Sequence, residues 1–157
     1  MHLNREWIAG HIPHQGGMCL LDEVCHWDES AVHCRTHTHL DAANPLRRGG
    51  HIAAVCGIEY AAQAMAIHGA LLAGASSKAG YLASVRAVRL QIDHLDDCKH
   101  ALDVHARRLS GDAGTVMYEF VLGDPGAALV SGRAVVVLDA AVMTPRQPSA
   151  ADPARAG

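Results

Sequence analysis

No block of clustered Lys and Arg occurs in these 157 residues: 13 basic side chains stand against 16 acidic ones, for a formal net charge of -3. Phosphate contacts need grouped cations, so this balance excludes a general nucleic-acid or anionic-membrane binder and points to a small molecule or a protein as partner. No C-x-x-C occurs either. Cys19, Cys25, Cys34, Cys56 and Cys98 are odd in number and scattered, which suits reduced thiols rather than a disulfide framework. Residues 1–17 hold Asn4, Arg5, Glu6, Pro13 and three histidines but no apolar core for an export signal. A cytoplasmic protein is expected. A bilayer span takes about 20 apolar residues, and the longest apolar stretch, Ile52 to Ala75, is interrupted by Glu59, Gln63 and His68. Those groups are costly in lipid, so the stretch reads as a buried helix and not a membrane span.

What is present suits one folded domain. Half of the residues are apolar, and a chain near 150 residues buries roughly 70% of its unfolded surface, enough for a core without staples. Met18 to Asp28 and Ala31 to His39 read as strands joined by the polar turn Asp28-Glu29-Ser30. Asp41 to Gly50, with one Pro and two Gly, reads as a loop. Eight of the 22 residues from Ile52 to Ala73 are Ala, the strongest helix former, and so few polar interruptions predict a helix wrapped on most sides. Gly57 and Gly69 within it predict close approach of other backbone or of a ligand. Four further strands follow: Gly80 to Ile92, Cys98 to Ser110, Thr115 to Leu122 and Ala127 to Leu138. Gly111 to Gly114 and Gly123 to Gly126 supply turns between the last three. Strands gathered on either side of one helix predict an α+β fold with an antiparallel sheet. One domain over residues 1–139 is expected, with a disordered Pro- and Ala-rich tail over 140–157.

Two stretches carry a family likeness. Ile12-Pro13-His14, followed by Met18-Cys19-Leu20-Leu21-Asp22-Glu23-Val24, resembles the N-terminal pattern of the FabZ-type 3-hydroxyacyl-acyl carrier protein dehydratases. Gly50-His51 with Glu59-Tyr60-Ala61-Ala62-Gln63 is similar to that family's G-H…E-x-x-A-Q. With Gly80-Tyr81-Leu82-Ala83-Ser84-Val85-Arg86 added, the pattern looks closest to the ApeP-like branch of aryl-polyene and type II fatty-acid-like clusters. Seven residues separate His51 from Glu59, where the family carries a longer loop, H-P-x-M-P-G. Ala53 and Ala54 stand in place of its Pro-Gly. The resemblance implies a hotdog fold, in which a curved antiparallel sheet wraps one central helix. It also implies a homodimer or heterodimer in which one subunit's histidine meets the other's acid, and a substrate carried on the phosphopantetheine of acyl carrier protein or CoA, with no cofactor.

Dehydrating such a thioester requires a base at C2, an acid at the C3 hydroxyl and a donor to the carbonyl. His51, as an imidazole, is the expected general base. Glu59, set among Gly57, Ile58 and Ala62, is expected to keep its proton and act as the acid. A salt bridge to Arg47, Arg48 or Arg86 is its structural alternative. First-turn amides at Ala54 and Val55 are expected to face the carbonyl oxygen. Gln63, one turn beyond Glu59, is expected to orient it or to serve a structural hydrogen bond. His33, His37 and His39 recur at even spacing on one predicted strand face, yet no third metal ligand follows by spacing, so no metal is assigned. Cys56, Met65, Leu71 and Leu72 read as packing residues, and His14 as a structural hydrogen bonder. Arg86, Arg89, Arg107 and Arg108 read as solvated or as facing an acidic carrier protein. Two alternatives to a dehydratase remain open: a non-catalytic hotdog subunit that pairs with an active one, and a hotdog acyl-CoA thioesterase that needs only Glu59 and a water.

Overall fold

The computed structural model describes residues 3–13, 16–74, 80–112 and 114–138; the expected tail and His14 lie outside them. Seven strands form one antiparallel sheet: β1 (Leu3–Asn4), β2 (Glu23–Trp27), β3 (Ala31–Thr36), β4 (Tyr81–Leu90), β5 (Leu102–Gly111), β6 (Thr115–Asp124) and β7 (Ala127–Val137). Their order is β1-β2-β3-β5-β6-β7-β4. A short helix α1 (Arg5–His11) precedes the long helix α2 (Gly57–Ala73), and the sheet wraps α2. This is the hotdog arrangement.

Register makes the core. Val24 pairs with Cys34, Cys34 with Val104, Val104 with Leu122, and Leu122 with Val130, so five strands deliver one row of side chains to the concave face. All five are at most 5% exposed. Gly57, the first residue of α2, seats the helix on that row: an added Cβ would lie 2.9 Å from Leu122 Cδ2 and 3.4 Å from Val130. The expected close approach at Gly57 is therefore to the sheet. At the other end Gly74, with φ 67°, donates to the Leu71 carbonyl and stops the helix in the left-handed conformation glycine favours. The stretch Ala54–Ala73 is long and apolar enough to cross a membrane, yet half of it is buried inside the molecule, as a core helix should be.

The turn chemistry read from sequence holds. The Asp28 carboxylate accepts the Ser30 and Ala31 amides, and the Asp112 and Asp124 carboxylates accept those of Gly114 and Gly126. Two expectations change. The segment 18–28 is strand only from Glu23, because Leu20 and Leu21 descend fully buried into the core before the ladder begins. Strand β3 ends at Thr36, and after His37 the chain forms a 3-10 helix over Thr38–Leu40. His33, His37 and His39 therefore share no face. Helix α1, unexpected from the sequence, is capped by Asn4, whose side chain accepts the Trp7 amide.

Two buried histidines set the acid sensitivity of the fold. His39 Nε2 donates to the Cys98 carbonyl at 3.0 Å, and its fully buried ring has a lowered pKa, chiefly from burial. His68, on α2, bonds the Tyr118 hydroxyl through Nδ1 and the Asp28 carbonyl through Nε2, and burial lowers its pKa too. Both take up a proton less readily when folded than when unfolded, where histidine titrates near pH ~6.5, so the unfolded state holds more protons as the pH falls through that range. Stability is expected to fall as pH drops from 7.5 to 5, read as a falling urea midpoint. A flat midpoint across that range would remove these histidines from the account.

Candidate active site

His51 is delivered by a tight turn. Gly49 and Gly50 have φ of 58° and 83°, a pair of left-handed residues that lets Arg48 and His51 bridge back to back. The Arg48 amide donates to the His51 carbonyl at 2.7 Å, and the His51 amide returns to Arg48 at 3.1 Å. Beyond the turn, Ile52 to Ala54 clasp the segment Asp93–Leu95: the Leu95 amide donates to Ile52, and the Ala54 amide donates to Asp93. The His51 ring is 53% exposed. It stacks on His94 at 4.3 Å, and its Nδ1 lies 2.8 Å from Asp96 Oδ2.

Asp96 escaped the sequence reading because 45 residues separate it from His51. Its side chain is 10% exposed. Oδ1 accepts the Ile52 amide at 2.8 Å, and the Arg47 guanidinium stands 3.8 Å from Oδ2. Burial pushes this carboxyl upward, but the Ile52 amide and His51 outweigh it and bring it down to about 2. Arg47 also ties the loop together by donating to the His39, Asp41 and Gly50 carbonyls.

Glu59 stands elsewhere. It is exposed in the single chain, so the apolar burial expected of it is absent, because the side chain points away from the sheet on the first turn of α2. Among the described residues it forms no ion pair, which leaves the expected salt bridge to Arg47, Arg48 or Arg86 unmade. It lines a groove of about 550 Å³ whose floor is the small-residue face of α2, Ala62, Ala66, Gly69 and Ala73, and whose wall includes Tyr118 and Leu138. These helix positions recur at one-turn and two-turn intervals, so they form one stripe. An added Cβ at Gly69 meets nothing within 4 Å, so this glycine opens space instead of admitting backbone. His51 does not line the groove.

The supporting residues divide. Ala54 is 2% exposed and its amide is taken by the Asp93 carbonyl, so the expectation that it donates to a substrate carbonyl is not met. The Cys56 and Gly57 amides are likewise used within this turn. Val55, 51% exposed, is the remaining candidate there. Gln63 is fully buried: Oε1 accepts the Leu20 amide at 2.9 Å, and Nε2 donates to the Met18 carbonyl at 2.5 Å. The N-terminal segment thus takes both ends of its amide. Met65 is buried as expected, whereas Leu72 is 38% exposed and lines the groove.

Other clusters are outside this site. His33 bonds Asp103 at 2.7 Å and stacks on His105 at 4.2 Å. Among the described residues no group of three His, Cys, Asp or Glu is arranged to hold a metal ion. Arg86 and Arg89 are exposed on β4, Arg107 pairs with Glu119, and Arg108 lines the groove.

These features can be set beside known proteins. The model of a family described as ApeP-like, ApeP dehydratase, matches residues 7–147. The dehydratase heterocomplex ApeI:P from Xenorhabdus doucetiae is similar in structure, with a TM-score of 0.71 and 25% identity over 83% of this chain and 90% of that one. Zebrafish thioesterase superfamily member 2 superposes with a TM-score of 0.58 at 13% identity, covering 85% of this chain and 92% of that one. A thioesterase variant from Staphylococcus aureus gives 0.54 at 10% identity, over 74% and 91%. At such identities the two thioesterases show the fold alone. No curated protein matches in sequence.

Proposed function

The chain belongs to the ApeP-like dehydratase family, and from that premise we propose that it removes water from 3-hydroxyacyl thioesters on acyl carrier protein, as one half of a hotdog heterodimer. Its product would be the trans-2-enoyl thioester, in a fatty-acid-like or aryl-polyene pathway of the cytoplasm. The observation that carries the reading is Glu59 on the rim of an apolar groove that follows α2, with His51 presented separately at the start of that helix region. From Glu59 to Ala73 the groove follows fourteen residues of helix, ~21 Å at 1.5 Å per residue, room for an extended acyl chain.

In this reading each site takes its base from one subunit and its acid from the other. Where this chain supplies His51, Nε2 takes the proton from C2, the electron pair forms the C2–C3 double bond, and the C3–O bond breaks as the partner's acid protonates the departing hydroxyl; where this chain supplies Glu59, Glu59 is that acid. Water is the only other product, and the elimination consumes no cofactor. Val55 is the proposed amide donor to the thioester oxygen. His51 is not among the residues that line the groove bordered by Glu59, which supports a site completed by a second subunit; the heterocomplex formed by ApeI:P supports a different hotdog chain as that subunit.

The test is to incubate the purified chain with a 3-hydroxyacyl carrier-protein thioester, alone and with a partner hotdog subunit, and to follow intact mass. Loss of water supports the dehydratase. Release of free acid would replace it with a thioesterase, and full activity of a partner paired with a His51→Ala, Glu59→Ala chain would make this chain a supporting subunit. The groove adds a prediction of its own. Gly69→Leu is expected to fold, since it adds helix propensity into open space, and to lower kcat/KM for long acyl chains by roughly 10- to 200-fold while sparing short ones. Equal loss on both chain lengths would show that the acyl chain lies elsewhere.

A further inference from the structure

We propose that Asp96 is a positioning residue for the dehydration: it holds His51 in the tautomer that leaves the Nε2 lone pair free for the C2 proton. The inference rests on the reading of His51 as the base. A carboxylate nine-tenths buried beside Ile52 and Leu95, both fully buried, is costly unless its lone pairs are used. Both oxygens are engaged, Oδ1 by the Ile52 amide and Oδ2 by His51 Nδ1, each at 2.8 Å. An ionised carboxylate only accepts, so Nδ1 must be the ring nitrogen that carries hydrogen. The position of Asp96 well down at about 2 keeps it ionised at neutral pH.

The ring has little freedom left. Its backbone is pinned on both sides by the Arg48 bridge, and Asp96 is pinned to the same segment through Leu95 and Ile52. His94 covers one face of the imidazole. The charged and titratable neighbours include Arg47, 3.8 Å from Asp96, Lys99, whose Nζ donates to the Asp96 carbonyl at 2.7 Å, His94 itself, and Asp97, 3.7 Å from His94. When His51 takes up the substrate proton, the imidazolium forms against a carboxylate already in place, so charge develops where it is stabilised without rearrangement.

The test is 15N NMR of the His51 ring in the wild-type chain, followed by Asp96→Asn in the active assembly. Wild type is expected to show hydrogen on Nδ1. In Asp96→Asn the side-chain oxygen stays with the Ile52 amide, and its NH2 faces Nδ1, so hydrogen should move to Nε2. The expected kinetic result, at the site His51 serves, is a fall in kcat of roughly 10²- to 10⁴-fold with KM within a few-fold of wild type. Hydrogen on Nε2 in the wild type overturns the proposal whether or not the variant folds. So does full kcat in Asp96→Asn when His51→Ala is inactive. Full activity of His51→Ala would instead overturn the base assignment, and the role of Asp96 with it.

Discussion

Glu59→Gln is expected to lower the rate of dehydration at the site it completes by roughly 10²- to 10⁴-fold while leaving the stability of the chain within about 0.5 kcal/mol of wild type. Glu59 is exposed and forms no ion pair among the described residues, so the fold loses only the small benefit, about 0.3 kcal/mol at an exposed site, of a negative charge on the first turn of α2. The amide keeps the shape and one acceptor but has no proton to give to a leaving hydroxyl. His51→Ala is expected to lose a similar factor at the site His51 serves, with stability changed by the lost Asp96 hydrogen bond and the lost stacking on His94. Mixing the two variants separates the assemblies. If two copies of this chain shared a site, one copy's base and the other's acid would restore activity on mixing; with a different hotdog subunit as partner, each variant keeps only the site its mutation does not touch, and mixing the two adds nothing. Wild-type rates in both single variants would remove this pair from the mechanism.

Gln63→Leu should do the opposite, costing stability and sparing the chemistry of each folded molecule. Leucine fills much of the same space but meets neither the Leu20 amide nor the Met18 carbonyl, and both would be left without partners beside the core. At ~1–3 kcal/mol for each of the two stranded buried groups, the expected loss is roughly 2–6 kcal/mol. That corresponds to a drop of roughly 10 °C in Tm for a chain of this size. Calorimetry and activity per folded chain would be read together. A Tm within 1–2 °C of wild type, or a kcat loss as large as that of Glu59→Gln, would return Gln63 to a role in orienting the acid.

Gln63 also shows how far a sequence reading reaches. A polar amide inside an Ala-rich helix demands a partner wherever it is buried, so its structural need was legible. Its partners were not, because Met18 and Leu20 lie more than 40 residues away and nothing in their own pattern names them. Glu59 shows the reverse error. Apolar neighbours in the chain suggested burial, but an α-helix turns 100° per residue, and Ile58 and Tyr60 face other sides. Only the packing of α2 decides that Tyr60 is enclosed while Glu59 borders the groove. The histidines of β3 went wrong for a related cause: even spacing promises one face only while the strand lasts, and Thr36 and Thr38 end it by bonding the Leu20 carbonyl.

The sequence by itself determined the local elements of this protein: the hairpin at Asp28, the Asp-Gly turns, the long alanine-rich helix, the order of elements that makes a hotdog, and the His51 and Glu59 motifs. Each is set by neighbours a few residues apart, through propensity, turn chemistry and periodicity. Tertiary structure alone decided that Asp96 meets His51, that Gly69 opens a groove while Gly57 closes onto Leu122, and that the Ala54 amide is spent on Asp93. These contacts join segments about 40 to 70 residues apart in the chain, where no local pattern carries the register. They follow from how the sheet closes around the helix.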